Sequence, residues 1–533
     1  MKIGIIVDDM RLARWQADAL GTLDERDELI IYNCTNTRAS RRLLRHALYY
    51  MINLFTVRNK MTRRVDLTDV SARIRSKHEF TSNYEGSWQN LPQGILDQIA
   101  EDDPAVLLKF GMNLLRIPPS ENMSAPILSY HHGDPDHYRG RPAGFYEILH
   151  GRPLMGQIVQ ILSNQLDAGT VVAVAETRIF NHSYRSTLVE AYSRSPLLLR
   201  AAIAAAVEGR SIPKACRGRA YKLPRNLLVI RFMLVTFCAA VARLFYGAFI
   251  EKGWRVSTAM SGDLHPDECG RFRLPPSHTW ETFRTPTGYR FLADPFPAPD
   301  KGGLLAEAFS ARRAQGDIVR LHDDRTCVVQ SGPGHYSYPA SFDEGGATYV
   351  IPETATWCAP TIYLLRGDRL EYVSRLNIEG EPRLLDPTFV RQGENVYLFA
   401  NDAQDGGGVL RLWVARGLLE RFEEHPCSPV RISPRGSRMA GHILAKEGAL
   451  FRFGQDGSSS YGNGALIFDI EALTPTKYAE RETGYLRLDD VCGPHTLNFS
   501  NGEVIFDWYT NRLSLFAGVR RLRERLGYSS SSG

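Results

Sequence analysis

Between Ile127 and Val171 the chain runs ILSYHHGDPDHYRGRPAGFYEILHGRPLMGQIVQILSNQLDAGTV, a stretch that gathers residue types able to move protons. The apolar pair Ile127–Leu128 ends in Ser129, Tyr130, His131 and His132, where a strand opens into a loop. An acidic polar loop follows, closed by Arg139-Gly140, and Leu166-Asp167-Ala168-Gly169 comes after a helix and a strand. In open α/β sheets ligands bind beyond the carboxyl ends of strands, so this cluster is a site candidate. A carboxylate such as Asp167 can hold His131 in its charged form and accept a proton; the imidazolium can donate to a developing oxyanion. The Ser129 hydroxyl both donates and accepts. The same residues have a plainer reading, with His131 a strand-end histidine and Asp167 a turn residue before Gly169. His131, His132, Asp134, Asp136 and His137 also combine imidazole and carboxylate as several divalent ions require.

The order of these motifs resembles that of the folate-dependent formyltransferases, which act on methionyl-tRNA, glycinamide ribonucleotide and sugar nucleotides. The pattern is Asn-x-His, a short loop, Arg-Gly, then a helix and strand ending in Leu-Asp-x-Gly. Here it reads Ser129-Tyr130-His131, Arg139-Gly140 and Leu166-Asp167-Ala168-Gly169, with the family's interval between His131 and Asp167. The resemblance covers about residues 1–210 and implies 10-formyltetrahydrofolate as co-substrate, with no metal. It implies catalytic roles for Ser129, His131 and Asp167, and pteridine binding by Phe110, Gly111, Met112, Leu114 and Leu115 within Phe110-Gly111-Met112-Asn113-Leu114-Leu115. His132, Asp134, Arg139 and Gly140 are expected in the substrate loop, where Arg139 orders the loop or meets an anionic group. One departure stands out: the family's asparagine, whose amide helps hold the formyl oxygen and the incoming amine, is Ser129. That leaves open an active site of changed geometry or a degenerate one.

The elements that must carry these residues are legible as patterns. Residues 2–7 (KIGIIV) read as a buried parallel strand, residues 11–20 as a helix, residues 29–32 and 104–110 as further strands. This is the opening of a doubly wound sheet, and the absence of G-x-G-x-x-G after the first strand argues against a dinucleotide site. Asp8-Asp9 either touch substrate or cap the following helix. Residues 41–63 are basic and apolar at helical spacing, as a helix packed on the sheet or one meeting a membrane or partner.

Residues 209–225 read as a basic linker, and residues 226–250 (NLLVIRFMLVTFCAAVARLFYGAFI) are apolar over a length that could span a bilayer. Arg231 and Arg243 interrupt that run at a cost of a few kcal/mol each, which favours a connecting helix packed on a domain or lying along a membrane surface. From Trp254 the chain turns β-rich, with landmarks at Leu292-Ala293-Asp294-Pro295-Phe296, Tyr336-Ser337-Tyr338-Pro339, Leu385-Asp386-Pro387-Thr388, Arg438-Met439-Ala440-Gly441 and Gly493-Pro494-His495-Thr496. Their spacing of roughly 50 residues predicts a five-bladed propeller. This region resembles family 43 glycoside hydrolases. Through ADPF, SYP, PET, LDPT and RFGQD it is closer to the N-terminal propeller of plant glucosamine inositolphosphorylceramide transferases, with no glycosyltransferase domain following. Asp294, Glu353 and Asp386 could converge as an acid/base set for glycosidic bond chemistry, although their order differs from the hydrolases. Glycan or glycolipid binding and a purely structural role are the alternatives.

The 533 residues carry a net charge of +5 with no long basic block, so nucleic acid is not an expected partner. Eight scattered cysteines without a C-x-x-C pair suggest neither zinc nor a disulfide scaffold. The expectation is therefore a multidomain α/β plus all-β protein: a formyltransferase-like, Rossmann-like parallel-sheet domain over 1–210, a basic and apolar helical linker over 211–252, a five-bladed β-propeller over 253–515 and a C-terminal tail over 516–533, disordered in its final SSSSG. The expected activity is N-formylation of an amino sugar, free, nucleotide-linked or lipid-linked. It would occur in the cytoplasm, without a signal peptide and with peripheral membrane contact through 226–250 as an option. The alternative is a glycan- or glycolipid-binding protein with a degenerate first domain.

Overall fold

The computed structural model describes residues 1–36, 44–67, 71–119, 123–260, 270–298, 302–310, 312–322 and 325–530. It divides into two compact units, Met1–Ala242 and Arg243–Gly533.

The first unit is built on a seven-stranded sheet of β1 (Lys2–Val7), β2 (Glu28–Cys34), β3 (Ile74–Phe80), β4 (Val106–Lys109), β5 (Ile127–His131), β6 (Leu154–Ile161) and β7 (Thr170–Arg178), in the order β7-β6-β5-β4-β1-β2-β3. The runs IGIIV, LIIY and VLL are buried throughout, as strands covered on both faces must be. Strands β3, β2, β1, β4 and β5 are parallel. β6 runs antiparallel to both β5 and β7, so one strand of the otherwise parallel sheet is reversed. Because β2 lies on one side of β1 and β4 on the other, the chain reverses direction across the sheet between β1 and β4. The crevice at such a point is where open sheets bind ligands. The carboxyl ends of β1, β4 and β5 meet there. Gly111, just past β4, lies so close to β1 that a Cβ would come within 2.3 Å of the Asp8 nitrogen.

Local details differ from the sequence reading for identifiable reasons. Residues 11–13 form a short strand with Arg64–Asp66 before the helix Arg14–Gly21 begins. The helix start is closed by Gln16, whose side chain accepts from the Ala13 amide at 3.0 Å; Asp9 instead accepts from the Arg11 amide, so neither Asp8 nor Asp9 caps it. The helix expected over 41–63 is confined to Ala47–Phe55, and residues 41–43 lie outside the described residues. The basic segment 209–225 is not a free linker: Arg219–Tyr221 pairs in parallel with Tyr138–Gly140, beside the candidate site. The helix Asn226–Phe249 follows.

The second unit is built mainly of antiparallel sheets, with Arg271–Phe272 added in parallel to Tyr478–Leu486. Four begin with the strands Phe291–Pro297, Ser337–Glu344, Leu384–Gln392 and Arg435–Met439. In the first two, each strand pairs with the next in sequence; in the third, Arg431–Ile432 returns to pair with Val409–Ala415. The fourth pairs Arg435–Met439 with Ala449–Asp456 and continues in the same way, with Leu444–Lys446 off its main path. A fifth sheet holds Leu497–Ser500, Glu503–Leu513, Glu281–Thr282 and Ile250–Met260. In it the unit's leading strand is zipped over its whole length to the strand Glu503–Leu513.

The leading strands explain the sequence landmarks. Three carry a register shift at the landmark, between Ala293 and Phe296, Ser337 and Ala340, and Leu385 and Thr388. Asp294, Tyr338 and Asp386 sit at these shifts with φ of 50°, 44° and 47°, each followed by a proline. A bulge residue lacks a ladder partner, so proline, which has no N–H, is tolerated there, and the bulge re-aims the neighbouring side chains. The C-terminal tail is helical from Ala517 to Ser530, and the last three residues of the SSSSG end expected to be disordered, 531–533, lie outside the described residues.

Gly111 offers a test of how tightly the crevice is built. Gly111→Ala should force β1 and β4 apart and cost about 1–3 kcal/mol, as overpacking of a filled core does. Gly94→Ala, where a Cβ meets nothing within 4 Å, should not lower stability. Urea unfolding of the two variants checks the contrast.

Candidate functional site

Side chains alternate along a strand, and parallel neighbours in register share a face. Leu107 and Ile127 are paired in the core on one face, and two residues on Lys109 pairs with Ser129. Ser129 and His131 are therefore aligned with Lys109 at the carboxyl edge of β4 and β5, on one side of the sheet. The opposite face carries Phe110, Tyr130 and His132. Trp15 packs against all three rings at 5.0–5.9 Å.

His131 is 8% exposed and held from both sides. Its Nε2 lies 2.9 Å from the Tyr138 carbonyl, to which it donates, and its Nδ1 faces Asp167 Oδ1 at 3.5 Å. The other Asp167 oxygen accepts from the Gly140 amide at 2.7 Å. Asp167 adopts a left-handed φ of 46°, and the turn is shaped by Gly169, where a Cβ would strike the Ile161 carbonyl at 2.0 Å. Gly140 is equally constrained, with φ of 85° and space for a Cβ only 2.2 Å from the Tyr221 carbonyl. Arg139 spends its guanidinium on backbone, reaching the Gly218 carbonyl at 2.7 Å and the Leu166 carbonyl at 3.3 Å. It straps the Asp167 turn to the loop; of its two expected roles, ordering the loop is the one these bonds serve.

Lys109 is the residue the motif reading passed over. It makes no ion pair among the described residues, and burial pulls its ammonium down to about 8 against the opposing pull of Asp167 and Asp8. The signal was present in the sequence as a lone charge at the end of the apolar run VLLK.

The remaining expected residues fall in several places. His132 is not in the substrate loop: it lies among Trp15, Tyr130 and Tyr192, with Nε2 2.8 Å from Ser195 Oγ, and burial pushes it down to about 3. Asp134 is a loop organiser. Burial would raise it, but the Asp136 amide, Lys214 and His137 donate to it and hold it low. Asp136 accepts from the Cys216 amide and shares Lys214 with Asp134, so Asp134, Asp136 and His137 form one loop network, away from the partners of His131 and His132. Phe110 and Gly111 donate their amides to the Ile6 carbonyl, and Met112 (φ 55°) and Leu115 are buried in the core. Leu114 is half-buried, and the Asn113 amide donates to Gln89. The segment from Phe110 to Leu115 is thus a fixed edge of the crevice, leaving the strand next to the one that carries His131.

In the second unit the three expected carboxylates are all buried and all engaged. Arg438 bridges Asp386 at 2.6 Å and Glu353 at 3.3 Å. Burial and then Asp386 raise Glu353 to about 8. Asp294 and Asp507 both face Nδ1 of His495, each at 3.1 Å. Burial alone would lower His495, but these two carboxylates outweigh it and hold it up to about 10. Tyr461 stands against both groups, its ring 4.5 Å from that of His495 and 5.4 Å from the Arg438 guanidinium. Among the described residues Asp294, His495 and Asp507 are the group with metal-ligand spacing. Sequence reasoning missed His495, Asp507, Arg438 and Tyr461 as partners, because they come from distant strands.

Residues 304–498 match the family described as glucosamine inositolphosphorylceramide transferase 1, N-terminal. Relatives of that name from Oryza sativa subsp. japonica and subsp. indica are each 30% identical over 218 residues. The match takes in 37% of this chain and 29% of the relative, so the chain spans under a third of those proteins' length. Solved structures similar to this chain include glycinamide ribonucleotide transformylase 1 from Symbiobacterium toebii (15% identity, 42% of this chain and 94% of that one, TM-score 0.27). A sugar N-formyltransferase from a Shewanella species is also similar (13%, 42% and 76%, TM-score 0.27). So is an N-formyltransferase from Helicobacter canadensis solved with folinic acid and dTDP-3-aminofucose (12%, 44% and 80%, TM-score 0.27).

The Asp294–His495–Asp507 trio predicts an alkaline weakness. A histidine raised on folding contributes stability fully below its unfolded value near 6.5 and loses it as pH climbs towards about 10. The urea midpoint of the wild type should fall across pH 7–10. His495→Gln should start lower and fall less over the same range.

Proposed function

We propose that the first unit transfers a formyl group from 10-formyltetrahydrofolate to the amine of an amino sugar, nucleotide- or lipid-linked, in the cytoplasm. The observation that carries this reading is the convergence of Ser129, His131, Asp167 and the Gly140 amide at the crevice of the sheet, in the order of the formyltransferase motifs. The substrate amine attacks the formyl carbon, the carbonyl oxygen gains charge, and the tetrahedral intermediate collapses as the folate nitrogen leaves with a proton. The His131 imidazolium, with Nδ1–H as its available donor, stabilises the oxyanion, while Asp167 holds that cation and receives the proton lost by the amine. Lys109, beside Ser129, supplies a second donor where serine is shorter than the family's amide. The edge from Phe110 to Leu115 takes the pteridine. We read the second unit as a five-bladed propeller that binds a glycan or glycolipid. The ion pairs that engage Asp294, Glu353 and Asp386 favour this over glycosidic bond chemistry.

Incubation with 10-formyltetrahydrofolate and a panel of amino sugars should release tetrahydrofolate. His131→Ala and Asp167→Asn should each lower kcat by roughly a hundred- to a thousandfold, without adding up in the double variant, because Asp167 acts through His131. Failure of the wild type to bind folate or to turn over any amine would leave the binding-protein reading standing.

Lys109 gives a separate pH test. It donates only when protonated, so activity should fall as pH rises through about 8. Lys109→Arg should move that fall upward, and Lys109→Met should lower kcat while leaving thermal unfolding unchanged or raised.

A further inference from the structure

The helix Asn226–Phe249 is long and apolar enough to cross a membrane, yet only 11% of its most apolar window is buried. One face is accounted for: Val229 and Phe232 are buried in the first unit, with Phe232 stacked on Phe145 at 4.2 Å. At 100° per residue the opposite face carries Leu227, Ile230, Leu234, Phe237, Val241 and Leu244, all exposed and several strongly so, as Leu227 (79%) and Leu244 (73%) show. A stripe of this length, about 27 Å at 1.5 Å per residue, is a contiguous apolar patch of the kind that marks an interaction surface.

Charge decides what covers it. The first turns of the helix form one wall of a groove of about 990 Å³ within the first unit. His46 and Asn226 tie the segment from Leu44 to Leu48 to the helix start. Tyr146 and Tyr221, 4.2 Å apart, contribute aromatic surface. Arg45, Arg219, Lys222, Arg225 and Arg231 line the groove and no acidic residue does. None of the five cations has an ion-pair partner among the described residues. Burial together with the charges of Arg152, Arg231 and Arg219 keeps His150, in the same wall, below its ordinary value. A ring of unpaired cations opening onto an exposed apolar helix matches a molecule with an anionic head and hydrocarbon tails.

We propose that this groove binds the anionic headgroup of a membrane lipid while the outward stripe of the helix lies in the bilayer interface, holding the chain on the membrane surface. The helix does not cross: its first three turns are fixed to the protein by Val229 and Phe232, and Arg231 and Arg243 break the apolar length. The reading stands independently of the chemistry proposed for His131 and Asp167.

Flotation of the full chain with vesicles of phosphatidylcholine, with and without phosphatidylserine, tests it without formyl donor or acceptor. The chain should bind the anionic vesicles, and each cation near such a surface contributes about fivefold in partitioning. Arg219→Glu combined with Arg225→Glu should therefore weaken binding at least about a hundredfold. Leu234→Asp with Phe237→Asp should weaken it on both vesicle types, and alkaline carbonate should release the wild type from membranes. Equal binding to neutral and anionic vesicles, charge-reversal variants that bind as wild type, or resistance to carbonate would each overturn the proposal.

Discussion

The Asp167 carboxylate is the interaction on which the first unit's site depends. One oxygen is taken by the Gly140 amide and the other faces His131, while Arg139 straps the same turn to the loop beside it. Each glycine around it is required by a close backbone approach, Gly140 against the Tyr221 carbonyl and Gly169 against that of Ile161. The histidine's orientation follows, since the Tyr138 carbonyl fixes Nε2 and leaves Nδ1 to the carboxylate. A buried imidazole anchored through Nε2, with Nδ1 beside the carboxylate as the remaining donor, has little freedom left to lose in a transition state, which is how electrostatic preorganisation works. The segment expected to be a linker belongs to this arrangement, because Arg219–Tyr221 is the strand that Gly140 packs against.

The second unit solves a different problem with one device used repeatedly. Leading strands of successive sheets carry a bulge, and the bulge turns a polar residue towards neighbours from other sheets. Asp294 meets His495 and Asp507, and Asp386 meets Arg438 and Glu353. Burying this many ionisable groups is costly unless each finds a partner, and breaking one pair leaves an uncompensated charge. The net is therefore a specification of geometry more than a source of stability. Zipping Ile250–Met260 to Glu503–Leu513 closes the unit and removes an exposed edge.

The motifs around His131 and Asp167 were legible because close approach restricts residue type: Arg-Gly and Asp-x-Gly occur where only glycine fits. The Asp-Pro and Tyr-Pro landmarks were legible because proline marks strand positions without a ladder hydrogen bond. Apolar runs gave β1, β2 and β4, since a strand buried on both faces needs no alternation. These are local constraints, and local constraints leave their mark in neighbouring residues.

What the sequence alone could not decide was partnership across distance. Nothing near His132 distinguishes it from His131; the alternation of a strand put one on the site's face and the other in an aromatic cluster, where desolvation keeps it neutral. Lys109 gains its meaning from pairing with Ser129 on the next strand. Asp294, Glu353 and Asp386 were visible as carboxylates, but whether they faced substrate or each other's counter-charges depended on Arg438 and His495, which arrive from other sheets. The run 226–250 announced an apolar helix of spanning length, while only packing showed which face is buried and that unpaired arginines gather beside the other. Composition fixes what a segment can bury; the tertiary structure decides against what, because Coulomb and packing energies depend on spatial rather than sequence separation.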